Sequence, residues 1–230
     1  MEAIILAGGK AERLGDASGG HPKALVDVGG RPLIAYQVVQ LAAAGVERVI
    51  VSCSAGKGGQ FVRALVSIGP EIVPAEEPEP LGRGGGIRFA AQFCSGGDVF
   101  ALNGDELADL DFGELLARHR ALGAAATITI AHPPSPFAIV ELGDDDLVTG
   151  FQEVARMPYW VSCGIYVLGD EAVARFPERG DHETTTFPEL VAERRLGAYR
   201  HEGTWITVNT PKDLRRAQEY LAERPGWLQA

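Results

Sequence analysis

The sequence predicts an α/β fold with a mixed, mainly parallel sheet flanked by helices, and three observations support this. In the first half of the chain, apolar strand patterns alternate with helix patterns, the order expected of a parallel sheet with right-handed crossovers. The opening strand, 2–7, is apolar at nearly every position, as in strands buried on both faces. The second half contains strands joined by short turns, which indicates antiparallel additions.

Local patterns define each element in turn. Strands are predicted at 2–7, 48–53, 71–74, 98–102, 124–131, 137–142, 147–152, 159–168 and 198–201, and helices at 32–44, 57–68, 84–94, 187–195 and 211–223. A proline near the start and a glycine just past the end are typical of a helix, and Pro32 and Gly45 bound the first one in this way. Asp109 and Asp111 are expected to cap a further helix. No repeat or linker is visible, so we expect one domain over 1–230.

Composition excludes several classes of protein. The chain has 230 residues and a net charge of −10, which argues against nucleic-acid binding through a basic face. No apolar run is long enough to span a membrane, and Met1 leads directly into the first strand, so we expect a cytoplasmic protein. Cys53, Cys94 and Cys163 are expected to be reduced thiols. His132, His182 and His201 show no ligand spacing, and each is expected to be a surface or hydrogen-bonded side chain.

A glycine-rich loop follows the first strand. Gly8 and Gly9 allow a ligand to approach the backbone, so that successive amides can point into one concavity. Lys10, Arg13 and Lys23 add positive charge close by. These residues together favour a site that holds phosphate groups.

Residues 6–34 carry a resemblance to a known family. They read LAGGKAERLGDASGGHPKALVDVGGRPLI, which resembles the two linked motifs of the sugar-1-phosphate nucleotidyltransferases, LAGG-x-G-T-R-L and PK-x-L-x-x-(V/I)-x-G-x-P-(L/I). Ala11 and Glu12 depart from this pattern. The resemblance implies a Rossmann-like nucleotide-diphospho-sugar transferase fold. Its nucleotide-binding half would lie at about 1–110 and its sugar-phosphate-binding half at about 111–230.

The resemblance also implies which residues meet the nucleotide. Arg13 would bind the leaving phosphates and Lys23 would bridge the α-phosphate and the incoming phosphate, so both are predicted as catalytic. Three consecutive glycines at 84–86 are similar to the family segment that packs against the nucleobase, and Arg83 adds a candidate phosphate or base contact. The predicted nucleotide-binding residues are Leu6, Ala7, Gly8, Gly9, Lys10, Gly84, Gly85, Gly86, Asn103 and Gly104.

A magnesium site is predicted after the strand at 98–102. Asp105 follows that strand, where ligands gather in open α/β sheets, and a carboxylate oxygen suits Mg²⁺. The family motif W-x-D-I-G-T-P supplies a second aspartate, but Thr207 stands at that position here. Asn209, two residues on, would share the face of the strand and is predicted as the second ligand. The alternative is that Asn209 only caps the helix that begins near Pro211.

The sugar side matches the family less closely. Glu153 resembles the acid of F-x-E-K, which accepts hydrogen bonds from sugar hydroxyls, but Val154 replaces the lysine and Arg156 is the candidate substitute. Ser162 and Gly164 stand in a segment that resembles N-A-G-I-Y. Glu153, Ser162 and Gly164 are therefore the predicted sugar-binding residues.

The resemblance implies an enzyme that joins a nucleoside triphosphate and a sugar 1-phosphate and releases pyrophosphate. The short length of the chain leads us to expect a heptose, mannose or N-acetylated hexose as the sugar. The base (uracil, thymine, cytosine or guanine) is open, and a homodimer is compatible with this reading. Three alternatives also stay open: a molybdenum-cofactor guanylyltransferase, a cytidylyltransferase for choline or alditol phosphate, and a non-catalytic nucleotide or sugar sensor.

Overall fold

A seven-stranded sheet forms the centre of the molecule. The computed structural model describes residues 1–9, 11–135, 137–153 and 155–224. The strands are β1 Glu2–Leu6, β2 Asp27–Val28, β3 Arg31–Pro32, β4 Arg48–Ser54, β5 Glu71–Glu77, β6 Val99–Asn103, β7 Glu106–Ala108, β8 Ala126–Ala131, β9 Ile139–Leu142, β10 Val148–Gln152, β11 Val161–Leu168, β12 Leu196–Arg200 and β13 Trp205–Thr207. The α-helices are α1 Leu33–Ala43, α2 Gly58–Leu65, α3 Gly82–Ala91, α4 Phe112–Leu122, α5 Asp170–Arg175, α6 Thr186–Ala192 and α7 Pro211–Ala222.

The order of the strands confirms the predicted fold class. The central sheet runs β12-β8-β11-β6-β1-β4-β5. β1 lies parallel to both β4 and β6, and β4 is parallel to β5, whereas β11 is antiparallel to its two neighbours. The parallel half comes from the first part of the chain, where helices return the chain to the start of each new strand.

Apolar side chains on the two faces of this sheet form separate cores. Along β1, Ala3 and Ile5 face one core and Ile4 faces the other, and all three are fully buried. This alternation explains why the strand has no polar position after Glu2, since neither face meets water there.

Several boundaries differ from the sequence-based expectations. β5 continues three residues beyond the predicted end, to Glu77, because its ladder with β4 continues to Ser54. Asp111 caps α4 as expected, accepting a hydrogen bond from the amide of Glu114. Asp109 does not cap that helix; it accepts hydrogen bonds from the amide of Thr204 and the hydroxyl of Tyr220 instead. β2, β3, β7 and α5 were not predicted, and the strand expected near Thr207 was given no bounds.

Over the described residues, no helix combines the length and the apolar character that crossing a bilayer would require.

Candidate active site

Two loops meet at one edge of the sheet because β1 and β6 are parallel neighbours. Leu6 pairs with Asn103, so the loop after β1 and the segment that follows β6 leave the sheet side by side. The amide of Gly104 donates to the carbonyl of Leu6 at 2.9 Å. A Cβ atom on Gly104 would lie 2.7 Å from that carbonyl oxygen, so this close approach requires glycine.

An open cleft of about 960 Å³ lies over this edge. Its lining residues are Leu6, Ala7, Gly8, Gly9, Arg13, Lys23, Ala24, Ser54, Ala55, Glu77, Pro78, Glu79, Pro80, Gly82, Arg83, Asn103, Gly104, Asp105, Glu106, Thr207 and Asn209. Most of the residues predicted to bind nucleotide or metal are among them. Lys10 lies outside the described residues.

Two cations and two oxygen ligands converge at the floor of this cleft. The Lys23 ammonium nitrogen lies 2.5 Å from Asp105 Oδ2 and 2.5 Å from Asn209 Oδ1. Arg13 donates to the same Asn209 oxygen at 2.9 Å. The Lys23 side chain is only 12% exposed, so its interaction with Asp105 is partly shielded from water. Four residues that are distant in sequence therefore form one cluster.

The pairing of β13 with β7 places Asn209 in the cluster. Thr207 pairs with Glu106, and the amide of Val208 donates to the carbonyl of Asp105 at 2.9 Å. This ladder brings Asn209 beside Asp105. The alternative role of Asn209 as a helix cap is wrong, because Thr210 caps α7 and forms a reciprocal capping box with Asp213.

Glu106 is a buried acid in the cleft wall that was not among the predicted site residues. Its Oε2 accepts hydrogen bonds from the indole of Trp205 at 2.7 Å and from the hydroxyl of Thr207 at 2.6 Å. Burial, followed by the neighbouring Asp105 carboxylate, raises the pKa of Glu106 to about 8. The sequence signal that could have indicated this residue is a single acid in the otherwise apolar segment 106–108 (ELA), which pairs with 205–207 (WIT).

Glu77 is a second lining carboxylate that was not predicted. Its Oε1 accepts from the hydroxyl of Ser52 at 2.7 Å, and its Oε2 accepts from the amide of Leu81 at 3.0 Å. Each carboxylate oxygen can accept a further hydrogen bond, so both retain capacity for a ligand. The unpredicted extension of β5 brings this side chain to the cleft.

The glycines at 84–86 pack closely against other parts of the chain. A Cβ on Gly84 would lie 2.7 Å from the amide nitrogen of His182, and one on Gly85 would lie 2.5 Å from the carbonyl oxygen of Glu178. Segment 177–182 therefore fills the space over these two glycines, where a flat base was expected. Only Gly86 borders cleft residues, since its Cβ would lie 2.9 Å from Glu77 Oε1. Arg83 lines the cleft but is paired with Asp181 and Glu183.

His182 is buried at this packing contact. Neither of its ring nitrogens has a hydrogen-bond partner among the described residues, so the expectation of a surface or hydrogen-bonded histidine was wrong at this position. Its ring stacks on Phe176, with the centroids 4.7 Å apart. Burial lowers the pKa of His182 to about 4.

The predicted sugar-binding residues do not line this cleft. Glu153 is exposed at the end of β10. Ser162 accepts a hydrogen bond from the amide of Gly164, and a Cβ on Gly164 would lie 2.2 Å from the side-chain nitrogen of Asn103. Gly164 therefore packs behind a lining residue. Arg156 donates to the carbonyl of His132, and Val154 lies outside the described residues.

The oxygen ligands in the cluster suit a hard cation. Asp105 and Asn209 point one oxygen each at the same position, which the Lys23 ammonium group takes in this structure. Two converging oxygens fit Mg²⁺, whose remaining ligands are usually water and phosphate. Over the described residues there is no group of three or more His, Cys, Asp or Glu that could hold a metal ion.

Comparisons with known proteins identify the family of this chain. The family model described as Nucleotidyl transferase matches residues 2–224. The chain is 33% identical over 227 residues to a mannose-1-phosphate guanyltransferase of Candida albicans, and 32% identical over 226 residues to one of Schizosaccharomyces pombe. Each match covers 93% of this chain but only 62% of the relative, so the chain spans about three fifths of their length.

A solved structure has the same fold. HddC from Yersinia pseudotuberculosis superposes with a TM-score of 0.74 at 23% identity, over 96% of this chain and 99% of that one. The family model extends over nearly the whole chain, including the glycine loop and both strands that carry the cluster. This chain therefore belongs to the nucleotidyl transferase family, and its motifs resemble those of the sugar-1-phosphate nucleotidyltransferases.

Proposed function

We propose that this chain joins a nucleoside triphosphate to a sugar 1-phosphate, producing a nucleoside diphosphate sugar and pyrophosphate. The observation that carries this proposal is the convergence of Arg13 and Lys23 on Asp105 and Asn209, beside the glycine loop. Cations next to exposed backbone glycines and a carboxylate form a site for a polyphosphate and its metal ion. The proposed catalytic residues are therefore Arg13 and Lys23.

The chemistry needs no nucleophile from the protein. An oxygen of the sugar phosphate, already ionised at neutral pH, attacks the α-phosphorus in line; a new P–O bond forms while the bond between the α-phosphorus and its bridging oxygen breaks. The electron pair leaves with pyrophosphate. Positioning and charge stabilisation supply the catalysis in such reactions. Lys23 would leave Asn209 to contact the α-phosphate and the attacking phosphate, and Arg13 would contact the leaving phosphates.

Asp105 and Asn209 are the proposed holders of Mg²⁺. When bound, the ion would neutralise charge on the triphosphate. The Lys23 ammonium group lies between the two oxygens in this structure, so binding of the ion requires Lys23 to move from them to the nucleotide phosphates. Because Asn209 is neutral, the triphosphate supplies much of the affinity, and we expect the metal to arrive as its nucleotide complex.

Guanine is the proposed base. The relatives at 32–33% identity are guanyltransferases. Glu77 supports this choice, because a carboxylate can accept from two adjacent N–H donors, as guanine presents at N1 and N2. Uracil and thymine present one N–H between two carbonyl groups, which a carboxylate would repel. The sugar is proposed to be a mannose-like hexose, as the names of the relatives indicate.

Pyrophosphate release tests the proposal. It would be measured for ATP, CTP, GTP, UTP and dTTP, each with a panel of hexose and heptose 1-phosphates and with choline phosphate, in the presence and absence of Mg²⁺. We expect the highest rate with GTP and mannose 1-phosphate, and dependence on Mg²⁺. Release with CTP and choline phosphate would favour the cytidylyltransferase alternative. A folded protein that binds GTP but releases no pyrophosphate with any pair would be a sensor, and the proposal would be wrong.

A further inference from the structure

An arm of two strands carries most of the large hydrophobic side chains that are exposed among the described residues. It consists of the described residues between 132 and 160, with β9 and β10 as their own two-stranded sheet. The amide of Ser135 donates to the carbonyl of Ala155, and Pro134 bridges to Arg156, so the two sides stay paired towards the central sheet. Among the described residues, twelve large hydrophobic side chains are exposed, and eight of them lie on this arm: Phe137, Val140, Leu142, Leu147, Val148, Phe151, Tyr159 and Trp160.

The strand register places four of these side chains on one face. Val140 pairs with Phe151, and Leu142 pairs with Val148. Residues directly opposite in an antiparallel pair share a face, as do residues two apart on one strand. The four therefore form one apolar face, and they are 47–67% exposed. The opposite face carries Ile139, Glu141 and Gln152.

The charges at the two ends of the arm differ in sign. The outer turn and its approach are acidic, with Glu141, Asp144, Asp145 and Asp146 all exposed. At the base, Arg156 is exposed and the Arg200 guanidinium lies 5.6 Å from the centre of the Trp160 ring. Glu153 reduces this positive charge but does not cancel it. An acidic tip disfavours anionic lipid and nucleic acid as partners.

We propose that the arm is the contact surface of a homodimer, in which two arms pack antiparallel, apolar face to apolar face, about a two-fold axis. That symmetry places the same patch on both subunits and brings the acidic tip of each arm to the basic base of the other. The charge pattern is thus complementary to itself in this one orientation. The inference is independent of the proposed enzyme activity.

The exposed area is adequate for such a contact. Phe137, Phe151 and Tyr159 are 77%, 67% and 74% exposed. Because an aromatic side chain offers about 150–250 Å², these three alone expose roughly 300–500 Å². A stable dimer buries about 800 Å² per partner, and the aliphatic side chains of the arm supply further area. Exposed apolar side chains of this total area, concentrated on one arm, are uncommon on a monomer.

Sedimentation velocity over a micromolar concentration series tests the proposal, using the 230-residue chain. We expect a dimer for the wild type. Leu142→Arg places a charge in the apolar face and should raise the dissociation constant at least about tenfold, as loss of a buried anchor does. Val66→Arg is the matched control, since Val66 is 76% exposed but lies on α2, away from the arm; it should leave the dimer unchanged.

A charge exchange tests the orientation. Asp144→Arg/Asp145→Arg and Arg200→Glu should each weaken the dimer, and a mixture of the two variants should recover it as a heterodimer, because each tip would again meet an opposite charge. Circular dichroism establishes that each variant is folded, and Val148→Arg replaces Leu142→Arg if that variant aggregates. A monomeric wild type would overturn the proposal, and so would a dimer insensitive to both arginine substitutions on the arm. Failure of the mixture to recover would overturn the antiparallel arrangement.

Discussion

Arg13 donates a hydrogen bond to Asn209 at 2.9 Å, across 196 residues of sequence. The loop after the first strand is thereby joined to the segment before the last helix. Lys23 bonds to the same oxygen, so one neutral amide oxygen holds two cations at the floor of the cleft. A phosphate group that enters the cleft offers both cations a charged acceptor in its place.

Removing either cation should impair turnover much more than stability. Arg13→Ala and Lys23→Ala each delete a charge proposed to act on the transition state, an effect of roughly 3 kcal/mol, or about 10²-fold in kcat, by analogy with lost oxyanion donors. Steady-state kinetics and thermal unfolding of the same preparations measure the two effects. Arg118→Ala, at an exposed position on α4, is the control. A variant with near wild-type kcat would remove that residue from the catalytic set.

Asn209→Ala should raise the Mg²⁺ concentration needed for half-maximal rate, because the site would lose one of its two protein oxygens. Thr210→Ala is the matched control. It removes the cap of α7, which is typically worth about 1 kcal/mol of stability, and should lower the melting temperature without changing the Mg²⁺ dependence. The rate measured against Mg²⁺ at fixed nucleotide separates the two roles. Equal Mg²⁺ curves for wild type and Asn209→Ala would exclude Asn209 as a ligand.

Glu77→Gln should weaken the preference for GTP. The amide keeps the size of the side chain but places a donor where guanine needs an acceptor. We expect the transition-state stabilisation for GTP, measured from kcat/KM, to fall by about 1–3 kcal/mol, the usual discrimination of a bidentate base contact. Competition assays with the other nucleotides report the change in selectivity. Glu71→Gln, at the far end of the same strand, should leave it unaltered. An unchanged selectivity in Glu77→Gln would mean that the base is recognised elsewhere.

His182 should make the protein less stable as the pH falls below about 6.5. Burial keeps the ring of His182 neutral and lowers its pKa from 6.5 to about 4. The carboxylates of Glu183 and Asp181 raise this pKa, and the charge of Arg83 lowers it further, but burial has the largest effect. As the pH falls, His182 is protonated in the unfolded chain at a higher pH than in the folded protein. The stability that the neutral ring contributes is therefore fully present above the pKa of the unfolded state, and it is lost as the pH falls towards the pKa of the folded state. The loss from His182 between about pH 7 and about pH 5 is about 2 kcal/mol.

Denaturant unfolding at several pH values measures this loss. His182→Phe retains an aromatic ring without a titrating group and should flatten the pH dependence by that amount. His21→Phe, at an exposed position, should not alter it. A wild-type slope in His182→Phe would show that other groups cause the acid sensitivity.

The sequence was sufficient for the features that depend on local pattern. The apolar first strand, the glycine loop and the strand before Asp105 each have a short-range signature, and parallel crossover then places their ends together. Local reasoning did not predict which segment packs on Gly84 and Gly85. A glycine run records only that something approaches the backbone, and here segment 177–182, about a hundred residues away, makes that approach.

What the sequence by itself determined is the α/β class and the composition of the phosphate-binding loop, because hydrophobic period and glycine content act within a few residues. Tertiary structure alone decided that Asn209, rather than capping a helix, meets Arg13 and Lys23, since this depends on the pairing of β13 with β7. It also decided that Glu77 reaches the cleft, because the length of β5 is set by its ladder with β4. Contacts between segments far apart in the chain depend on packing, which no local pattern encodes.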